Sequence, residues 1–127
     1  MRKLWKYSGI FLSVIGLIHT VVVFTIPALV QVWSEIFSEG LFNTIGTHMD
    51  RNCAFFSLMV GILLIYTGIC WNQQIKQSGK PLTKSAAWGL LGIALGGLVF
   101  VPVSGFWLLI LLGIIMLMPH YGRTPRA

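Results

Sequence analysis

The side chains able to ligate a metal or cofactor are few here: three histidines, three acids and two cysteines. His19 is the only titratable residue deep in the first apolar run. An ionisable group inside a membrane segment is a functional candidate by default. His48, Asp50 and Arg51 stand together at the head of the second apolar run, and Thr20, Thr25, Ser104 and Trp107 fall at a comparable depth by residue count. Brought together, His19, Thr20, His48, Asp50, Arg51, Ser104 and Trp107 would make a polar pocket in the outer half of a helical bundle, walled by Phe106 and Trp107. Replacing His19 with Leu would then change ligand retention more than folding. The plainer arrangement has a neutral His19 bonded to a backbone carbonyl or a serine of a neighbouring helix. Leaving such a group unpaired in hydrocarbon costs about 1–3 kcal/mol.

What these residues could do is bounded by their spacing. His19 and His48 could be axial haem ligands, since histidine is a common one. His19, His48 and Asp50 could give three ligands to zinc, which needs three or four. Neither spacing matches a fixed ligand pattern, so no cofactor and no metal is expected. No nucleophile motif, P-loop or dinucleotide fingerprint is present, so no reaction is assigned. Asp50 next to Arg51 reads as a helix cap and interfacial anchor, Glu35 and Glu39 as a solvated face, and His120 after Pro119 as a tail residue. Cys53 and Cys70 are 17 residues apart on one run, about 25 Å along a helix. A disulfide needs Cα atoms within about 7 Å, so they read as buried thiols.

The elements that must position these residues are apolar helices. The chain is 56% hydrophobic and 9% charged, against about 25% charged in soluble domains. A short soluble chain cannot bury that much apolar surface. The expected fold is an all-α membrane protein of one domain, with four transmembrane helices over 7–26, 51–71, 85–101 and 106–118. The first run is too long for the core of a signal peptide, and no small-residue cleavage pattern follows it, so an uncleaved helix is expected. Pro27 ends or bends the first helix. Over 28–42, Leu29, Val32, Trp33, Ile36, Phe37 and Leu41 recur at helical spacing with polar residues between them. That pattern predicts an interfacial amphipathic helix between the first and second spans. Residues 72–84 read as a polar loop around a Ser-Gly-Lys-Pro turn. Pro102, Ser104 and Gly105 break the last apolar stretch into a tight hairpin.

Orientation follows from charge. With four spans, both termini and the 72–84 loop share a side that carries eight of the nine basic residues and none of the acids. Excess Lys and Arg mark cytoplasmic segments, so both termini are expected in the cytoplasm. Trp5, Trp71 and Trp88 then fall near the inner interface, and Trp33 and Trp107 near the outer one. The same scattering of basic residues excludes a nucleic-acid partner despite a net charge of +6. Small residues allow membrane helices to approach closely. They occur at Gly9, Ser13 and Gly16, at Gly61 and Gly68, and at Gly89, Gly92, Gly96 and Gly97. Packing within one chain is the expected use of all three sets.

Tyr7-Ser-Gly-Ile, Gly16-Leu-Ile-His19-Thr20, Gly79-Lys-Pro-Leu and Pro102-Val-Ser-Gly-Phe-Trp107 resemble a family of small bacterial inner-membrane proteins with four helices and no assigned function. The resemblance covers nearly the whole chain and implies a multi-pass inner-membrane protein without supplying an activity. Length and span count also resemble the small multidrug resistance transporters. That family couples to protons through a glutamate in its first helix. This chain has no acid over 7–26, where His19 is the only candidate stand-in. The reading that fits best is a non-enzymatic module. Its partners are membrane lipids, and either a second copy of the chain or another membrane protein. The alternatives are a small dimeric transporter and, behind it, a membrane-embedded enzyme or haem protein.

Overall fold

The computed structural model describes residues 3–40, 45–46, 48–100 and 105–121. Its regular structure is all helical among those residues: a 3-10 turn, Leu4–Tyr7, and five helices, α1 (Ser8–Thr25), α2 (Pro27–Glu39), α3 (Met49–Ser78), α4 (Lys84–Phe100) and α5 (Phe106–Tyr121).

Proline sets the first boundary. Ile26 is extended, with φ −64° and ψ 122°, and Pro27 opens α2. A residue before proline is pushed out of the helical region, whereas proline itself suits the first helical position. Pro27 therefore ends one helix and starts the next rather than kinking a continuous one. The amphipathic α2 buries Val32, Trp33 and Ile36 against Val23 of α1 and Ala54 of α3. Phe24 and Phe37 flank the Trp33 ring at centroid distances of 4.9 and 6.1 Å.

The second apolar helix runs further than hydropathy indicates. Residues 72–78 continue α3 instead of forming a loop; the Gly79 N–H still closes on the Ile75 carbonyl, and its left-handed φ of 62° then turns the chain out of the helix. The glutamines and lysine of this extension are good helix formers. Ile75, only 5% exposed, anchors it in the main core with Leu12, Leu82, Ala87, Leu112 and Met116. Thirty residues make a helix of about 45 Å, longer than a hydrocarbon core of about 30 Å.

The α1–α3 seam is antiparallel and follows a seven-residue period. Ala54, Gly61, Gly68 and Ile75 are buried on α3, and Gly9, Gly16 and Val23 on α1. An added Cβ at Gly9 would stand 2.6 Å from the Gly68 carbonyl oxygen, and one at Gly16 would stand 2.8 Å from that of Gly61. Glycine is required at both places because the facing atoms are backbone. The heptad spacing is that of a left-handed helix pair, here with glycines in the seam. Beyond it, α5 packs on α1 and α4 packs on α5, so α3, α1, α5 and α4 run in a row. The α4 glycines do not share the role expected of them: Gly89, Gly92 and Gly96 have nothing within 4 Å of an added Cβ, and only Gly97 meets a neighbour, the ring of Phe106.

Two segments, Leu4–Thr25 and Met49–Ser78, are long and apolar enough to cross a membrane, with mean hydropathies of 2.0 and 2.2. Only 28% and 17% of those apolar windows are buried. Large apolar side chains such as Leu17, Phe56, Leu63, Ile93 and Leu111 are exposed along the row.

Candidate functional site

His19 faces α3, and its Nε2 lies 3.0 Å from the Ser57 carbonyl oxygen. At the next residue, the Thr20 hydroxyl donates to the Gly16 carbonyl of its own helix at 2.9 Å. Ser13, nearer the other end of the seam, donates to the Ile65 carbonyl at 3.2 Å. These polar groups of α1 each find a backbone oxygen, two of them across the glycine seam. Their chemistry is that of helix pairing.

Arg51 is differently placed. It is 6% exposed, in the first turn of α3. Its guanidinium grips Glu39 of α2 in a fork, Nη1 to Oε2 at 2.6 Å and Nη2 to Oε1 at 2.7 Å. Glu35 lies 3.7 Å from Nη2. Bidentate geometry of this kind is the strong form of an Arg–carboxylate pair. The hydrogen bond from Arg51 holds the Glu39 carboxyl below the usual glutamate range, and the charges of Arg51 and His48 add to it. Two expectations change accordingly. Glu35 and Glu39 are not merely a solvated face, because α2 is clamped to α3 through them. Asp50 is not the helix cap either. His48 occupies the cap position without a side-chain capping bond, and Asp50 sits in the first turn, where its charge suits the helix dipole.

The expected pocket residues thus occupy separate places. His19 and Thr20 lie in the α1–α3 seam, Arg51 lies between α2 and α3, and His48 and Asp50 are exposed at the head of α3. Trp107 is 59% exposed on α5. Ser104 lies outside the described residues. Among the described residues no three His, Cys, Asp or Glu side chains group closely enough to hold a metal ion. His120 is part of α5, not of a tail: its Nε2 is 2.7 Å from the Leu82 carbonyl, tying that helix to the α3–α4 connection. Beside it, Lys84 places its ammonium 4.9 Å from the Tyr121 ring centroid.

Among the described residues, concave surface is found at the opposite, basic end of α1 and α3. A groove of about 280 Å³ is lined by Trp5, Lys6, Tyr7, Ile10, Asn72, Ile75, Lys76 and Gly79. A second, about 250 Å³, continues along the same two helices past Val14, Leu17, Ile65 and Ile69, and shares Ile10 and Asn72 with the first. The two grooves adjoin through Ile10 and Asn72; both are lined mainly by apolar surface, and the lysines Lys6 and Lys76 line the first. Sequence reasoning missed this surface. Its signal was the recurrence of tryptophan and lysine at both helix ends, Trp5–Lys6 and Trp71 to Lys76. Only the fold brings Lys6 and Lys76 to one groove, because residues 72–78 are helix.

Compared with known proteins, the chain matches a family of unknown function (DUF6463) over residues 3–123. No curated protein matches it, and no solved structure does.

Proposed function

We propose that this chain, which belongs to the DUF6463 family of unknown function, is a multi-pass protein of a cell membrane that binds a lipid, without catalysis, in the groove between α1 and α3. In this reading α1 and α3 cross the membrane. So do α4 and α5, whose 17 and 16 residues give helices of about 24–26 Å, a few ångströms short of a hydrocarbon core of about 30 Å. Both termini lie in the cytoplasm, on the basic side. The amphipathic α2 lies on the other surface, held there by the Arg51 clamp.

The observation that carries the reading is the pair of adjoining grooves, with Lys6, Lys76 and Trp5 lining one and Val14, Leu17, Ile65 and Ile69 lining the other. Adjoining grooves of this kind along a lipid-facing helix pair match a molecule with a polar head and an apolar tail. Each is near the lower bound of about 300 Å³ for small-molecule sites, and the shape suits a chain rather than a compact ligand. Transport has less support. His19, the only candidate for proton coupling in α1, is engaged with the Ser57 carbonyl.

The test is to fill the groove. Ile65→Trp should lower the lipid that co-purifies with the protein in mild detergent. Leu111→Trp, on the exposed face of α5, should not. Equal lipid retention in the two variants would remove the groove from the account.

A further inference from the structure

We infer that the occupant of this groove is a phospholipid with an anionic headgroup, drawn from the leaflet that faces the basic end; the inference rests on the lipid-binding reading above. Charge supports the choice of headgroup. Lys6 and Lys76 both line its basic end. The three acids of the chain, Glu35, Glu39 and Asp50, sit on α2 and at the head of α3, at the far end of the protein. Among the described residues, neither ammonium group is therefore neutralised by an acidic side chain. Asn72 lines both parts of the groove, and its amide can donate to a phosphate or ester oxygen. Trp5 gives the basic end an aromatic ring of the kind that settles at headgroup depth.

Length supports a leaflet lipid over a free phosphate. Leu17 lies eleven residues beyond Lys6, and Ile65 eleven residues before Lys76. Each interval is about 16 Å of helix. Half of a hydrocarbon core of about 30 Å is about 15 Å. A phosphate between the lysines thus puts the acyl chain along Ile10, Val14 and Leu17 on one wall and Ile69 and Ile65 on the other, down to the bilayer midplane.

The experiment is native mass spectrometry of the full chain, released from mixed micelles containing phosphatidylglycerol or phosphatidylcholine with identical acyl chains. Phosphatidylglycerol should be retained more strongly. A lysine beside an anionic lipid is worth about fivefold in binding. Lys6→Gln with Lys76→Gln should therefore cut phosphatidylglycerol retention by about thirtyfold and leave phosphatidylcholine unchanged. The Lys6→Arg, Lys76→Arg pair should keep the preference. Lys84→Gln, the loss of a charge that faces Tyr121 instead, should keep it too. Equal retention of the two lipids would overturn the headgroup assignment while leaving the groove as a lipid site. A preference that survives the double glutamine variant, or that falls equally in Lys84→Gln, would overturn it as well. Loss of both lipids from the native protein, or a dimer mass without bound lipid, would overturn the lipid reading itself. Both lysines are exposed, and unchanged helix content by circular dichroism confirms that glutamine there leaves the fold intact.

Discussion

Gly16→Ala and Gly92→Ala should have opposite consequences, although both put one methyl group on an apolar helix. At Gly16 the new Cβ would meet Ile65 N at 2.7 Å and the Gly61 carbonyl oxygen at 2.8 Å. Both are backbone atoms of α3 and cannot rotate away. Ordinary contact begins at 3.4 Å, so the two helices must part by about 0.7 Å. A parting of that size takes the 3.2 Å bond from Ser13 to the Ile65 carbonyl past hydrogen-bonding distance. It also opens the seam in which Ala54, Gly61 and Gly68 are buried. Overpacking in a well-packed interior costs about 1–3 kcal/mol. The upper half of that range is expected on the membrane reading proposed above, because helices in lipid associate mainly through packing. At Gly92 an added Cβ meets nothing within 4 Å. Alanine there should be neutral, or stabilising by up to about 1 kcal/mol through helix propensity. The assay is unfolding in detergent followed by circular dichroism, with both variants and the wild type at the same protein-to-detergent ratio. A Gly16→Ala protein as stable as wild type would refute the seam. So would a Gly92→Ala protein destabilised as much as Gly16→Ala, which would move the close packing to α4.

Three further outcomes follow from the same contacts. The Glu39 carboxyl is held below its ordinary value of 4.5, so the clamp on α2 should persist at and above that pH and be lost as pH falls through the lowered value. Hydrogen exchange in α2 should rise on that acid side, and Arg51→Met should show the raised exchange already at neutral pH. His19→Leu removes one bond across the seam, worth about 0.6 kcal/mol on average in a membrane protein. It should lower stability slightly and leave lipid retention unchanged; a large loss of retained lipid would return His19 to a binding role. With the native cysteines replaced, a cysteine at Ser38 should react with an impermeant reagent from outside intact cells and one at Ser78 should not; the reverse labelling pattern would invert the proposed topology.

The long apolar runs and the amphipathic α2 were legible in the sequence because hydropathy and a period of 3.6 residues report burial directly. The heptad pair Gly61 and Gly68 could be recognised, but not its match to Gly9 and Gly16, since a periodicity fixes a face and not the helix that meets it. For the same reason Gly92 and Gly96, which carry the small-x-x-x-small spacing, suggested close packing that the fold places elsewhere. Arg51 was legible as an interfacial charge. Its partner was not, because Glu39 is twelve residues away on another helix. The basic groove was hidden by one misread element. A polar stretch reads as loop, yet residues 72–78 are held in a helix by a single buried contact, Ile75, and that helix carries Lys76 to the groove.

The most direct test of the lipid groove is photocrosslinking in membranes with a phosphatidylglycerol analogue that carries a diazirine near the end of one acyl chain. Peptide mapping should place the crosslinks on Leu17, Ile65 and Ile69, at the deep end of the groove. Crosslinks spread evenly over the other exposed apolar residues, such as Ile93 of α4 and Leu111 and Ile114 of α5, would show a lipid annulus without a site and contradict the account.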